Sequence, residues 1–135
     1  MNILVIDAQG GGIGKQVVAA IKNSLSDAVV TAVGTNSTAT SAMLKAGADH
    51  AATGENAVIV GCRKADVIVG PIGIVIADSL FGEITPAIAL AVGQSNAKRI
   101  LIPINHCDNM IVGVQDLNTG KLIQGVIDQI RDISR

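Results

Sequence analysis

The chain opens on Asn2-Ile3-Leu4-Val5-Ile6-Asp7-Ala8-Gln9-Gly10-Gly11-Gly12-Ile13-Gly14-Lys15. The near-continuous apolar run at its start is typical of a strand that helices bury on both faces. Apolar residues at helical spacing begin at Ile13, so the glycines lie at a strand-to-helix turn. Glycines carry no Cβ and accept positive φ, which lets backbone N–H groups approach an anion at the positive end of a helix. The stretch therefore predicts a site for a nucleotide or another phosphate-bearing ligand.

The glycine spacing matches two dinucleotide-binding patterns, each of them incompletely. Gly10-x-Gly12 begins the G-x-G-x-x-G fingerprint, but Lys15 stands in place of its third glycine. In the G-x-x-x-G-x-G spacing of the short-chain dehydrogenases, Gly12 and Gly14 fit and Ala8 replaces the first glycine. The spacing alone leaves both registers open.

A P-loop is a third interpretation, with Gly14-Lys15 as its glycine-lysine pair. Gln9 then replaces its first glycine, and Gln16 replaces the hydroxyl residue that binds magnesium. A tight turn without any ligand is the remaining alternative, because open α/β sheets need small residues at such turns.

The end of the second predicted strand lacks the acidic residue that binds the ribose of NAD. Thr35, Asn36 and Ser37 occupy that place. Their neutral side chains suit a ribose or a 2′-phosphate, so we expect NADP rather than NAD, although no arginine accompanies them.

Strand and helix patterns alternate along the rest of the chain. Strands are predicted at residues 2–7, 28–33, 50–52, 66–70, 99–104 and 110–114, and helices at 13–26, 37–46, 54–64, 86–93 and from 118 onward. We expect Ser37 to cap the second helix, and Thr85 to cap the fourth with Pro86 at its first position. This alternation predicts an α/β fold, a three-layer, mainly parallel Rossmann-like sheet flanked by helices, in one domain of residues 1–135.

Four segments that follow strands should share one rim, because the carboxyl ends of parallel strands meet at one edge of the sheet. Asp7, at the mouth of the first turn, is expected to orient it by accepting backbone N–H bonds. The residues expected to contact ligand are Gly10, Gly11, Gly12, Ile13, Gly14 and Lys15 at the phosphates, Thr35, Asn36 and Ser37 at the ribose, and Gly70, Pro71, Gly73, Asn105 and His106 at a flat ring.

No pattern in the sequence fixes a reaction, so whether the protein is an enzyme stays open. Cys107 next to His106 suggests a nucleophile, but adjacent strand-end residues usually point apart. Asp78 and Glu83 form a possible carboxylate pair, and Cys62 suits a packing role. A nucleotide- or dinucleotide-binding sensor or accessory subunit is the first interpretation. The alternatives are a small NADP-linked oxidoreductase or transferase acting on a phosphorylated substrate, and a structural oligomer without ligand.

Composition limits the partners of the chain. It is 49% hydrophobic and 16% charged, so we expect part of the surface to be buried in a homodimer or a higher homo-oligomer. Ten basic residues balance eleven acidic ones, and a single aromatic residue offers no base-stacking platform, which disfavours nucleic acid. No apolar run approaches the ~20 residues of a membrane span. No secretory signal precedes Asn2 and the two cysteines match no metal spacing, so we expect a cytoplasmic protein without a metal site.

Four stretches together resemble a family of short bacterial proteins catalogued only as a domain of unknown function. They are Ile6-Asp7-Ala8-Gln9-Gly10-Gly11-Gly12-Ile13-Gly14-Lys15, Gly34-Thr35-Asn36, Gly70-Pro71-Ile72-Gly73-Ile74 and Gly82-Glu83-Ile84-Thr85-Pro86. The resemblance covers almost the whole chain and implies a small stand-alone cytoplasmic protein, with no activity to carry over. A looser resemblance to Rossmann dinucleotide-binding domains covers the first half and implies a ligand class only.

Overall fold

A computed structural model describes residues 1–104 and 108–135. Within these residues, five strands form one parallel sheet in the order β3-β2-β1-β4-β5. The strands are β1 (Asn2–Asp7), β2 (Val29–Gly34), β3 (His50–Thr53), β4 (Val67–Pro71) and β5 (Lys98–Ile102). Strand order reverses between β1 and β4, and sheets of this kind bind ligands in the crevice at the carboxyl ends of the strands at such a reversal.

Helices cover both faces of the sheet. They are α1 (Gly12–Ser24), α2 (Ser37–Lys45), α3 (Glu55–Lys64), α4 (Pro86–Gln94) and α5 (Thr119–Ser134), with a 3₁₀ turn at Ile72–Val75. Alternate residues of β1 serve the two cores: Ile3 and Val5 pack with α1, α2 and α5, whereas Leu4 and Ile6 pack with α3 and α4. The predicted α/β three-layer, Rossmann-like fold is therefore confirmed.

The register of β1 and β2 brings the candidate site together. Asn2 pairs with Val29 and Asp7 pairs with Gly34, so the two strands end level. The backbone N–H of Thr35 donates to the carbonyl of Asp7 at 3.0 Å, just beyond that last pair. The turns that follow these two strands are consequently neighbours at the rim.

Two predictions about the elements are wrong. Residues 110–114 form no strand, and the side chains of Met110 and Val112 are 94% and 100% exposed. Strand formers need a neighbouring strand to bond, and the described segment makes only local turn contacts. Asn36, not Ser37, caps α2, because its side chain accepts from the N–H of Ala39 at 2.9 Å.

The start of α4 is as predicted. Thr85 caps it by accepting from the N–H of Ile88 at 3.1 Å, and Pro86 is its first residue. None of the helices in the described ranges is both long enough and apolar enough to span a bilayer.

Candidate functional site

The glycine loop, residues 8–14, turns the chain from β1 into α1. Gly11 has φ of 72°, and a Cβ there would lie 2.8 Å from the Cα of Ala39. Its N–H donates to the carbonyl of Ala8 at 3.1 Å, closing the turn. A residue with a side chain would be strained here and would also push α2 away, so this position needs glycine.

Gly14 lets the first turn of α1 rest directly on the end of β1. A Cβ on Gly14 would lie 2.8 Å from the Cβ of Asp7 and 2.7 Å from the Sδ of Met43. Close helix-to-strand packing is the role of the last glycine in dinucleotide-binding turns. The structure therefore favours the register that contains Gly12-x-Gly14 over the one that places Lys15 in the third glycine position.

Asp7 holds the loop from below, as the sequence predicted. Its Oδ2 accepts from the N–H of Gly14 at 2.7 Å, and its Oδ1 accepts from the N–H of Ala8 at 2.8 Å. Burial raises the pKa of Asp7 above its ordinary value of 3.8, the two hydrogen bonds oppose that shift, and the nearby charge of Glu83 adds to it. Both oxygens of the carboxyl group are thus engaged by the loop backbone, and Asp7 also contributes to the lining of the cavity at the loop mouth.

The mouth of the loop is open and rich in donors. A Cβ placed on Gly10 or on Gly12 would meet no atom of the described residues within 4 Å. Within the described chain, the N–H groups of Gly12 and Ile13, at the positive end of α1, have no protein acceptor. These groups border a cavity of about 270 Å³ whose lining also includes Ile104 and Thr119. An anion is the chemical species that such an arrangement accepts.

Glu83 reaches this rim from the connection between β4 and α4. Its Oε1 accepts from the Thr35 hydroxyl at 2.8 Å and from the Asn36 amide at 2.7 Å, and both carboxylate oxygens lie 3.1 Å from the Gln9 backbone nitrogen. Asn36 also donates to the carbonyl of Gln9 at 2.9 Å. We call these four residues the Glu83 clasp, because they join the connections that follow β1, β2 and β4.

The clasp favours the ionised form of the Glu83 carboxylate. Partial burial works against ionisation, but the hydrogen bonds from Asn36, Thr35 and Gln9 outweigh it and hold the pKa of Glu83 below its ordinary value of 4.5. The sequence paired Glu83 with Asp78, whereas the structure pairs it with polar groups at the ends of β1 and β2. No spacing in the sequence signals this contact, since the partners lie 47 to 74 residues away.

The segment that delivers Glu83 has an uncommon backbone. Asp78, Leu80 and Phe81 have φ of 66°, 56° and 57°, and Gly82 follows at 83°. Positive φ is uncommon for residues other than glycine, asparagine and aspartate. Phe81, the single aromatic residue of the chain, is 98% exposed.

The turn at residues 70–73 does not offer Gly70, Pro71 and Gly73 to a flat ring, which is the contact that the sequence predicted. Gly70, Pro71 and Gly73 are buried. A Cβ on Gly70 would lie 2.6 Å from the carbonyl oxygen of Ile6, and one on Gly73 would lie 3.0 Å from the Ser79 hydroxyl. These glycines serve internal packing, because the chain folds back over the turn, and they offer no surface to a flat ring.

Lys15 and Ser37 lie beside the mouth of the loop. Both border a separate groove of about 640 Å³ between α1 and α2, which includes Gly10 and Lys45. Asn105, His106 and Cys107, also proposed from the sequence, lie outside the described residues.

Two further groups bear on chemistry. Burial raises the pKa of the Cys62 thiol to about 11, which suits the packing role predicted for it and not that of a nucleophile. Among the described residues, no cluster of three or more histidine, cysteine, aspartate or glutamate side chains could hold a metal ion.

The chain belongs to the family described as Domain of unknown function (DUF3842), which matches residues 2–135. No match was found among curated proteins. A solved structure, the dodecameric FMN-dependent Ubix-like decarboxylase from Escherichia coli O157:H7, is similar with a TM-score of 0.46 and 15% sequence identity. The similarity covers 95% of this chain and 75% of the decarboxylase chain. A similarity of this size does not extend the cofactor or the assembly of that protein to this chain.

Proposed function

We propose that this member of the DUF3842 family binds a nucleotide or a dinucleotide through its phosphates, at the mouth of the glycine loop. The observation that carries this function is the pair of N–H groups, on Gly12 and Ile13, that have no acceptor within the described chain and open onto a cavity. A phosphate oxygen placed there satisfies both donors and meets the positive end of α1.

The preference for one nucleotide over another depends on the charge at the end of β2. The sequence favoured NADP because the end of β2 looked neutral, but the ionised Glu83 now lies against Thr35 and Asn36. A carboxylate at that place repels a 2′-phosphate, so the reason for preferring NADP is lost. The groove that contains Lys15 and Lys45 is the part of the rim that still suits an additional phosphate.

Binding without catalysis, as in a sensor or an accessory subunit in the cytoplasm, is the role that we propose. The carboxylate pair that the sequence offered for acid/base work is not formed, because Glu83 is held by the clasp and Asp78 is exposed. An NADP-linked oxidoreductase or a transferase would draw on other groups, and a structural oligomer would bind no nucleotide.

A thermal-shift panel of NAD, NADP, FAD, ATP and sugar phosphates tests the proposal. A ligand at 100 times its Kd stabilises the folded state by about 2.7 kcal/mol. Gly12→Val should fold, because its Cβ meets no atom of the described residues within 4 Å, and should abolish the shift by blocking the mouth. Gly125→Val in α5, where a Cβ is equally free, is the matched control and should keep the shift. An undiminished shift in Gly12→Val would place the ligand elsewhere.

A homo-oligomer, most simply a dimer, is the second part of the proposal. Helix α4 has no charged residue, and its Leu90 is 58% exposed beside a cavity of about 500 Å³ between α3 and α4. Apolar surface of this kind is commonly covered by another subunit. Sedimentation equilibrium should show a mass above 13.7 kDa that falls to 13.7 kDa in Leu90→Glu but not in Leu44→Glu on α2. A wild-type mass of 13.7 kDa throughout the micromolar range would exclude the oligomer.

A further inference from the structure

We infer that Glu83 binds the ribose hydroxyls of the nucleotide, supplying from the β4–α4 connection the carboxylate that the end of β2 lacks. The inference rests on the proposed nucleotide site and names which part of the nucleotide the rim recognises beyond the phosphates.

The two carboxylate oxygens of Glu83 accept unequal numbers of hydrogen bonds. Oε1 accepts both side-chain bonds, at 2.8 Å from the Thr35 hydroxyl and 2.7 Å from the Asn36 amide. Oε2 has one contact in the described chain, 3.1 Å from the Gln9 nitrogen, which it shares with Oε1. A carboxylate offers about four acceptor positions, so Oε2 has acceptor capacity that the described chain leaves unused. Vicinal hydroxyl groups are donors that suit it.

The position of this oxygen also fits a ribose. Gln9 precedes the open mouth at Gly10, and Thr35 and Asn36 follow β2. In sheets of this strand order, the ribose of a bound dinucleotide lies between the glycine turn and the end of the second strand. Glu83 is held between these two places by hydrogen bonds to both. The acid therefore reaches the ribose position in space although it is distant in sequence.

The backbone that delivers Glu83 supports a functional role. Asp78, Leu80 and Phe81 all take positive φ within five residues of it. Such conformations are energetically unfavourable for residues other than glycine, and they concentrate where a protein must present a group in one place. Because Glu83 is ionised in the clasp, it acts only as an acceptor, which favours a free 2′-hydroxyl and opposes a 2′-phosphate.

Isothermal titration with three probes tests the inference: ADP, 2′-deoxy-ADP, and inorganic pyrophosphate, which has no ribose. Hydrogen bonds to a charged group contribute about 1.5–3 kcal/mol, so wild type should bind ADP roughly 10- to 100-fold more tightly than 2′-deoxy-ADP. Glu83→Gln should lose most of that difference by weakening ADP alone, with pyrophosphate unchanged. Asp78→Asn, a substitution that tolerates positive φ in the same segment, should behave as wild type.

Each other outcome has a distinct meaning. Tighter ADP binding by Glu83→Gln would overturn the inference, because the carboxylate would then be occupying the site. Equal affinities for ADP and 2′-deoxy-ADP in wild type, with pyrophosphate still bound, would overturn it while leaving the phosphate site intact. If the wild-type protein binds none of the three probes, the proposed function itself is overturned. If Glu83→Gln does not fold, Glu83→Asp keeps the charge but withdraws it by one methylene, and it should weaken ADP more than 2′-deoxy-ADP.

Discussion

The glycine loop and the β4–α4 connection meet at the same rim but present opposite chemistry there. The loop takes positive φ at Gln9 and Gly11, and among the described residues the N–H donors of Gly12 and Ile13 have no acceptor. The connection makes its turn with Asp78, Leu80 and Phe81 at positive φ and presents a carboxylate acceptor. One segment is suited to phosphate and the other to hydroxyl groups. The difference teaches that a binding rim can combine a segment that sequence patterns reveal with one that they hide.

The largest expected effect concerns the packing beneath the glycine loop. Gly14→Ala should destabilise the protein by about 1–3 kcal/mol, because its Cβ would overlap Asp7 and Met43. Gly12→Ala should be neutral or stabilising by up to about 1 kcal/mol, since its Cβ meets no atom of the described residues within 4 Å and the unfolded chain loses freedom. Urea denaturation of both variants measures the contrast. Equal stabilities would mean that the glycines of the loop are interchangeable.

The next effect concerns the backbone of the connection. Phe81→Gly should stabilise the protein by roughly 0.5–1 kcal/mol, because relief of about 1–2 kcal/mol at positive φ exceeds an entropic cost of about 0.5–1 kcal/mol. The side chain is 98% exposed, so its removal uncovers little. Gln129→Gly, at an exposed position within α5, should cost about 1 kcal/mol. Destabilisation by both glycines would show that the connection stores no strain.

The smallest effect is a pH dependence of opposite sign at the two carboxylates. Glu83 has a lowered pKa, so its contribution to stability is present above 4.5 and is lost as the pH falls through the lower folded value. Asp7 has a raised pKa, so its ionisation opposes folding at neutral pH, and this opposition disappears as the pH falls towards 3.8. The stability gap between wild type and Glu83→Gln should therefore shrink below pH 4.5. A gap that stays constant down to pH 3 would contradict this assignment.

Much of the fold could be predicted because its signals are local. The apolar run of β1, the turn residues and the Thr85-Pro86 start of α4 each reflect the chemistry of a few neighbouring residues. The role of Asp7 was predictable for the same reason, since its partners Ala8 and Gly14 are close in sequence.

The remaining features depend on what lies across the sheet. Met110 and Val112 have strand-forming neighbours in sequence but no partner strand in the described structure. Gly70 and Gly73 were expected to contact a ligand, yet their surroundings include Ile6 and Ser79. Glu83 was expected to pair with Asp78, and its partners are up to 74 residues distant. Periodicity and spacing carry no information about such long-range contacts.

The alkylation rate of the buried Cys62 thiol can report on access to the α3–α4 side of the molecule. The side chain lies on α3, is 4% exposed and borders the cavity between α3 and α4, and the pKa of about 11 leaves little thiolate at neutral pH. In a Cys107→Ser background, the rate of alkylation of Cys62 reports how readily a reagent reaches the thiol through that cavity. If a second copy of the chain covers α4, the rate should slow as the protein concentration rises, and the same thiol then measures the lifetime of the association.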